Sequence, residues 1–150
     1  MPVGADREGR QAMDRVRGSV LVVDDDDRLA DLITALLRSN LPFTRISSAS
    51  HGCDALARHL EAPMDVIVLD LDMPGLRGDE LLARLRASTP GAPVSIMVSG
   101  SPALGEAIAR CEPDFHLTKP FNQTDLVERV AQALELARER ASPGVRRHGA

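Results

Sequence analysis

The chain has 150 residues, a length that fits one compact domain with short tails. Hydrophobic residues make up 43% and charged residues 27%, enough for a packed core beneath a charged surface. With 22 acidic against 18 basic residues and a net charge of −4, the composition argues against a general nucleic-acid-binding surface, and no apolar run approaches the roughly 20 residues of a membrane span.

Residues 1–18 are polar, of mixed charge and without apolar periodicity, and are expected to form a mobile extension. They lack the apolar stretch of a secretory signal, so a cytoplasmic location is expected. The run "SVLVV" (19–23) is short, continuous and β-branched, the pattern of a strand covered on both faces. Leu29, Leu32, Ile33, Leu36 and Leu37 then recur at helical spacing, which predicts a first helix over 26–39 with Asp26 and Asp27 at its start. "FTRISSA" (43–49) reads as a weaker edge strand and "GCDALARHLE" (52–61) as a second helix. "MDVIVLD" (64–70) is the strongest strand pattern in the chain. A third helix is expected over 79–87, and a fourth buried strand in "PVSIMVS" (93–99). A short, weakly apolar helix follows in "PALGEAIARCE" (102–112), then a fifth strand in "DFHLTK" (114–119). The last helix carries Leu126, Val130, Leu134 and Ala137 on one stripe and is expected to end near Ala141, leaving 142–150 as a tail. The domain is thus expected to span 19–141.

Five strands alternating with five helices predict an α/β fold, a doubly wound parallel sheet with helices on both faces. Ligands of such sheets bind beyond the carboxyl ends of the strands, where the winding reverses. Asp24 and Asp25 follow the first strand, Asp70 and Asp72 the third, Ser99 and Gly100 the fourth, and Lys119 and Pro120 the fifth. Crowded carboxylates raise one another's pKa, and a hard divalent cation removes that cost. Such a cation also attracts a phosphoryl group, whose remaining oxygens suit a hydroxyl and an ammonium.

"VLVVDDDD", "VIVLDLDMPGLRG", "MVSG" and "LTKPF" resemble, in order and spacing, the receiver domains of two-component response regulators. The resemblance covers about residues 19–140 and implies the flavodoxin-like strand order 2-1-3-4-5. It implies Asp70 as phosphoacceptor, loaded by a histidine kinase or phosphotransfer protein. It also implies Mg²⁺ held by Asp25 and Asp70 through carboxylates, by Asp24 largely through water and by the backbone carbonyl of Asp72. Ser99 and Lys119 would bind the phosphoryl group beside Gly100 and Pro120, with the Lys119–Pro120 bond cis, and Pro74 and Gly78 match the loop into the third helix. On this reading the domain is a signalling module and not an enzyme, assisting only its own phosphorylation and dephosphorylation. A downstream protein partner would dock on the face of the fourth helix, fifth strand and fifth helix, with homodimerisation left open and no contact with nucleic acid or membrane expected.

The chain departs from the family at several places. Many members carry Tyr or Phe three residues before the lysine, where this chain has His116. Histidine there is either a rotating group whose charge follows pH or a docking residue. Asp72 and Ser101 stand two residues after the phosphoacceptor and the switch hydroxyl, positions that tune phosphoryl lifetime, and the sequence does not assign their sign. Nothing after 141 is long enough for an output domain, which leaves a stand-alone receiver or a piece of a longer regulator. Two other readings stand beside this one. One is a receiver-like docking or dimerisation module that takes no phosphate. The other follows from a likeness of "VLDLDMP" to the nucleophile motif of haloacid-dehalogenase-type phosphatases, which want that motif on the first strand. Cys53 and Cys111 are expected as small core or helix-face residues, and His51, His59 and His148 as surface residues.

Overall fold

A computed structural model of the protein describes residues 17–88 and 91–141. The expected C-terminal tail, His148 included, and all of the N-terminal extension before Arg17 lie outside the described residues. The elements follow in the order β1 (Gly18–Val23), α1 (Asp27–Asn40), β2 (Thr44–Ala49), α2 (Gly52–Glu61), β3 (Val66–Asp70), α3 (Gly78–Ser88), β4 (Val94–Ser99), α4 (Leu104–Cys111), β5 (Phe115–Thr118) and α5 (Gln123–Ala141). Gly18, expected in the extension, pairs with Thr44 as the first residue of β1.

All strand pairs are parallel, in the order β2-β1-β3-β4-β5, so the winding reverses between β1 and β3. The register aligns Val20 with Val66 and Val94, and Val22 with Val68 and Ile96. Because successive strand residues point to opposite faces, these six side chains share one face. There they pack with Ile33 and Leu37 of α1 and Leu126, Val130 and Leu134 of α5. The alternate residues Leu21, Val23, Ile67, Leu69 and Met97 face the other way, onto Leu81, Leu82 and Leu85 of α3 and Leu104 and Ala107 of α4. Burial on both faces is the physical reason why β1, β3 and β4 read as unbroken apolar runs.

Local chemistry sets the element ends. Asp26 caps α1, its carboxylate accepting from the Arg28 and Leu29 N–H groups at 3.1 and 3.3 Å. Gly78 opens α3 where only glycine fits: a Cβ there would collide with the Asp70 carbonyl oxygen and lie 2.9 Å from Leu71 Cα. Its N–H donates to the Leu71 carbonyl at 3.0 Å, pinning the β3–α3 loop.

One expectation is corrected. His59 is not a surface residue: it is only 1% exposed, and its Nδ1 accepts a hydrogen bond from the Met64 N–H at 3.0 Å. It stands four residues after buried Ala55 and three after half-buried Leu56, on the inward stripe of α2, so helical spacing carried the signal. His51 is exposed, as are Cys53 on α2 and Arg58, whereas Cys111 is half-buried against the α3 and α4 core.

Candidate functional site

The carboxyl ends of β1, β3, β4 and β5 bring most of the expected site residues together. Asp24 leaves β1 3% exposed, its Oδ1 accepting from the Asp26 N–H at 2.9 Å and its own N–H donating to the Ala49 carbonyl. Asp70 ends β3 and is 6% exposed, whereas Asp25 is open to solvent. One oxygen from each of Asp24, Asp25 and Asp70 lies within 4.8 Å of the others. Lys119, half-buried after β5, sets its Nζ between two of them, 3.5 Å from Asp24 Oδ2 and 3.4 Å from Asp70 Oδ1. Its own N–H donates to the Ser99 carbonyl at 3.0 Å, and the Lys119–Pro120 bond is cis, as expected.

The electrostatics follow from this crowding. Burial, reinforced by the negative charge of Asp24, pushes the Asp70 carboxyl up to about 6 against the pull of Lys119. Burial likewise raises Asp24, with Asp25 adding repulsion and the Asp26 N–H and Lys119 opposing it. Burial works to lower Lys119, but the charges of Asp70 and Asp24 prevail and hold its ammonium above the ordinary range. A single lysine therefore leaves two buried carboxylates under-compensated. Clustered hard oxygen donors short of positive charge are what Mg²⁺ takes, so the residues present fit that ion.

Ser99, the last residue of β4, is 0% exposed, and its hydroxyl has two partners. It donates to Asp72 Oδ2 at 2.7 Å and accepts from the Ser101 N–H at 2.9 Å. The Ser101 hydroxyl in turn accepts from the Ala103 N–H at 3.1 Å, leading the loop into α4. Gly100 lets that loop lie against Lys119, since a Cβ there would stand 3.4 Å from Lys119 Cβ. His116 is not drawn into the cluster: it is exposed on β5, and its carbonyl accepts from Arg129 at 3.2 Å.

Two features of the region were not anticipated. The Asp72–Ser99 bond joins positions 27 residues apart, and no local pattern links them. Asp79, expected only as part of the start of α3, is buried and held by Arg77 of the preceding loop at 3.2 Å and by Arg110 of α4. Burial opposes its ionisation, but the two arginines hold its carboxyl below the ordinary range. Arg86 of α3 adds a bond to the Glu112 carbonyl at 2.8 Å, so α3 and α4 are tied at two places.

Comparison with known proteins agrees with this geometry. The family described as the response regulator receiver domain matches residues 20–131. The probable transcriptional regulatory protein TcrX of Mycobacterium tuberculosis is 34% identical over 118 residues, covering 77% of this chain and 49% of that protein. The transcriptional regulatory protein PrrA of Mycobacterium leprae is 39% identical over 118 residues, again covering 77% of this chain and 49% of that protein. The chain thus spans about half the length of these curated relatives. Among solved structures, a Francisella response regulator receiver domain superposes with a TM-score of 0.70 at 32% identity, covering 79% of this chain and 98% of that one. A CheY-like receiver domain protein of Methanospirillum hungatei gives a TM-score of 0.73 at 25% identity, covering 82% and 98%.

Proposed function

The chain belongs to the response regulator receiver domain family of two-component systems, and from that premise we propose that it is a Mg²⁺-dependent phosphoacceptor switch loaded on Asp70. The observation that carries the reading is the under-compensated trio Asp24, Asp25 and Asp70, with the Lys119 ammonium 3.4 Å from Asp70 Oδ1.

In this reading Asp25 and Asp70 hold Mg²⁺ through carboxylates, Asp24 through water and Asp72 through its backbone carbonyl. The ion supplies charge neutralisation at the transferring phosphoryl group. An Asp70 oxygen attacks phosphorus while the bond from phosphorus to the donor's leaving group breaks, giving an acyl phosphate. The donor is a histidine kinase or phosphotransfer protein, and attack of water later releases inorganic phosphate. Lys119 pairs with one phosphoryl oxygen, and the Ser99 hydroxyl donates to another. The new group adds about −1.5 to −2 charges if it behaves like other protein phosphates. Movement of Ser99 and Lys119 toward it shifts the β4–α4 and β5–α5 loops and biases the domain between two states. A cytoplasmic protein partner then reads the face made by α4, β5 and α5, where His116 is exposed. The chain catalyses only its own loading and unloading. A net charge of −4 gives this chain no general surface for DNA, whatever its longer relatives carry.

Intact mass after incubation with Mg²⁺ and acetyl phosphate tests the reading. One phosphoryl adduct is expected, absent from the Asp70→Asn variant and from a sample in EDTA. An adduct that persists in Asp70→Asn, or none in wild type together with no binding of beryllofluoride, overturns it and leaves the docking-module reading.

A further inference from the structure

The hydroxyl that the switch requires is already in use. A serine hydroxyl has one proton to donate, and Ser99 gives it to Asp72 Oδ2 at 2.7 Å. Its acceptor capacity is engaged by the Ser101 N–H at 2.9 Å. While that arrangement holds, Ser99 has no proton for an oxygen on Asp70.

The two ends of the Ser99–Asp72 bond sit in different surroundings. The Ser99 side chain is fully buried and needs an acceptor in either state, since a buried donor left unmade is costly. Asp72 is exposed, so water replaces Ser99 on its carboxylate at small cost when the bond breaks. Two acceptors therefore compete for one proton: a carboxylate already in contact, and a phosphoryl oxygen once it is present. The choice is transmitted, because Ser99 accepts from the Ser101 N–H and Ser101 from the Ala103 N–H, carrying any movement of Ser99 to the threshold of α4.

We propose that Asp72 is a positioning residue that holds Ser99 in the unphosphorylated arrangement, so that its side chain opposes the switch. The inference rests on the phosphoacceptor reading and gives the Asp72 side chain a sign: it biases the domain toward the off state. A residue shifts such an equilibrium only through contacts that differ between the states, and the Ser99 bond is a contact of that kind. The backbone carbonyl of Asp72 plays no part in this role, so a side-chain substitution tests it alone.

The test is a double-substitution cycle on the full chain. Beryllofluoride binding in Mg²⁺ is titrated by fluorine NMR for wild type, Asp72→Ala, Ser99→Ala and the pair, with circular dichroism confirming that each is folded. Asp72→Ala is expected to tighten binding about threefold to tenfold, the range of one hydrogen bond. In the Ser99→Ala background the same change is expected to alter binding less than about twofold, because no proton remains to compete for. Equal tightening in both backgrounds assigns the effect to plain charge repulsion and overturns the proposal, as does no tightening at all. Failure of wild type to bind beryllofluoride, together with no phosphoryl adduct, removes the phosphoacceptor reading and this inference with it. A second readout needs neither metal nor phosphate mimic. In metal-free Asp72→Ala, the Ser101 and Ala103 amide resonances are expected to move part of the way toward their positions in the loaded wild type, and unmoved resonances count against the proposal.

Discussion

The two ends of the sheet use the same side chain in opposite ways. At the amino end, Asp65 accepts from the Ser19 N–H at 2.9 Å and from the Ser19 hydroxyl at 3.1 Å, while the Asp65 N–H donates back to Ser19 Oγ at 3.0 Å. Asp114 repeats the device on Ser95, with distances of 2.9, 3.2 and 3.0 Å, and adds Arg140 of α5 at 2.6 Å. Each aspartate stands just outside a strand and clasps the second residue of the neighbouring one, β1 in the first case and β4 in the second. At the carboxyl end, Asp24 and Asp70 share one ammonium. Burial tends to raise every one of these carboxyls that shifts. It prevails at Asp70 and Asp24, whereas Arg140 and Ser95 overcome it at Asp114. A carboxylate whose partners the fold supplies holds strands in register. One left short of partners is where an ion from outside would supply them.

The largest effect that tests this contrast lies at the amino end. Asp114→Ala leaves the Ser95 N–H and hydroxyl without their acceptor and Arg140 without its counter-charge. A loss of about 2–3 kcal/mol is expected, the cost of stranding partly buried donors, one of them charged. Urea unfolding followed by circular dichroism, suited to a chain with no Trp, reads it as a lower midpoint at unchanged slope. A loss below about 0.5 kcal/mol, the level of an ordinary surface substitution, would mean that the clasp is incidental and the contrast one of appearance.

The carboxyl end predicts the opposite sign. In metal-free protein, Asp70→Asn relieves a buried charge that one lysine does not compensate, so the variant is expected to be more stable at pH 7 by about 1–2 kcal/mol, given ~1.36 kcal/mol per pKa unit. The pH window follows from the raised pKa. The folded protein holds the Asp70 proton up to about 6, the unfolded chain only to about the ordinary aspartate value of 3.8. Wild-type stability from this group is complete below the lower value and lost as pH rises through the upper one. The gain of the variant is therefore small near pH 4 and complete above about 6. Mg²⁺ is expected to stabilise wild type more than the variant, by mass action on the folded state. A variant less stable than wild type in EDTA at pH 7 would show that the Lys119 pair satisfies Asp70, and the comparison between the sheet ends would fail at its more interesting side.

What the sequence made legible, and what it hid, divides along similar lines. The unbroken runs of β1, β3 and β4 announced two-sided burial, and helical stripes placed the first four helices within one or two residues of their ends and the last helix at its carboxyl end. The candidate site residues stood out because they come directly after strands, where a parallel sheet presents its ligands. Such features are local in the chain. The Asp65–Ser19 and Asp114–Ser95 clasps depend on which strand lies beside which and in what register, and the chain states neither locally. The Asp72–Ser99 bond needs two loop conformations at once and left no trace in spacing. His59 is the instructive miss: its place on the α2 stripe is visible in the period, but its partner is the Met64 backbone N–H, which leaves no residue pattern in the sequence.

That residue supplies the smallest and most discriminating effect. His59 accepts the Met64 N–H just before β3, near the amino end of the sheet, and its Nε2 has no hydrogen-bond partner among the described residues. Burial holds its pKa below the ordinary histidine value of 6.5, so below that pH the unfolded chain takes up a proton that the folded protein resists. Stability from His59 is complete above 6.5 and declines as pH falls through that value. Over the same interval Asp70 acts the other way, gaining stability as pH falls through about 6. In wild type the two ends of the sheet therefore oppose each other as pH falls from 6.5 through about 6, and a flat profile there conceals both. Asp70→Asn removes the larger share of one side and leaves only the raised Asp24 carboxyl to offset His59, so a decline in stability should emerge on acidification below 6.5. Asp79 and Asp114, whose carboxyls are held low, release their contributions only at more acidic pH, as the unfolded chain begins to bind protons near 3.8. Adding His59→Asn, whose side-chain oxygen can still accept from Met64, should level the profile again. A decline that survives the second substitution belongs to another group, and the opposition between the ends then loses its amino-end member.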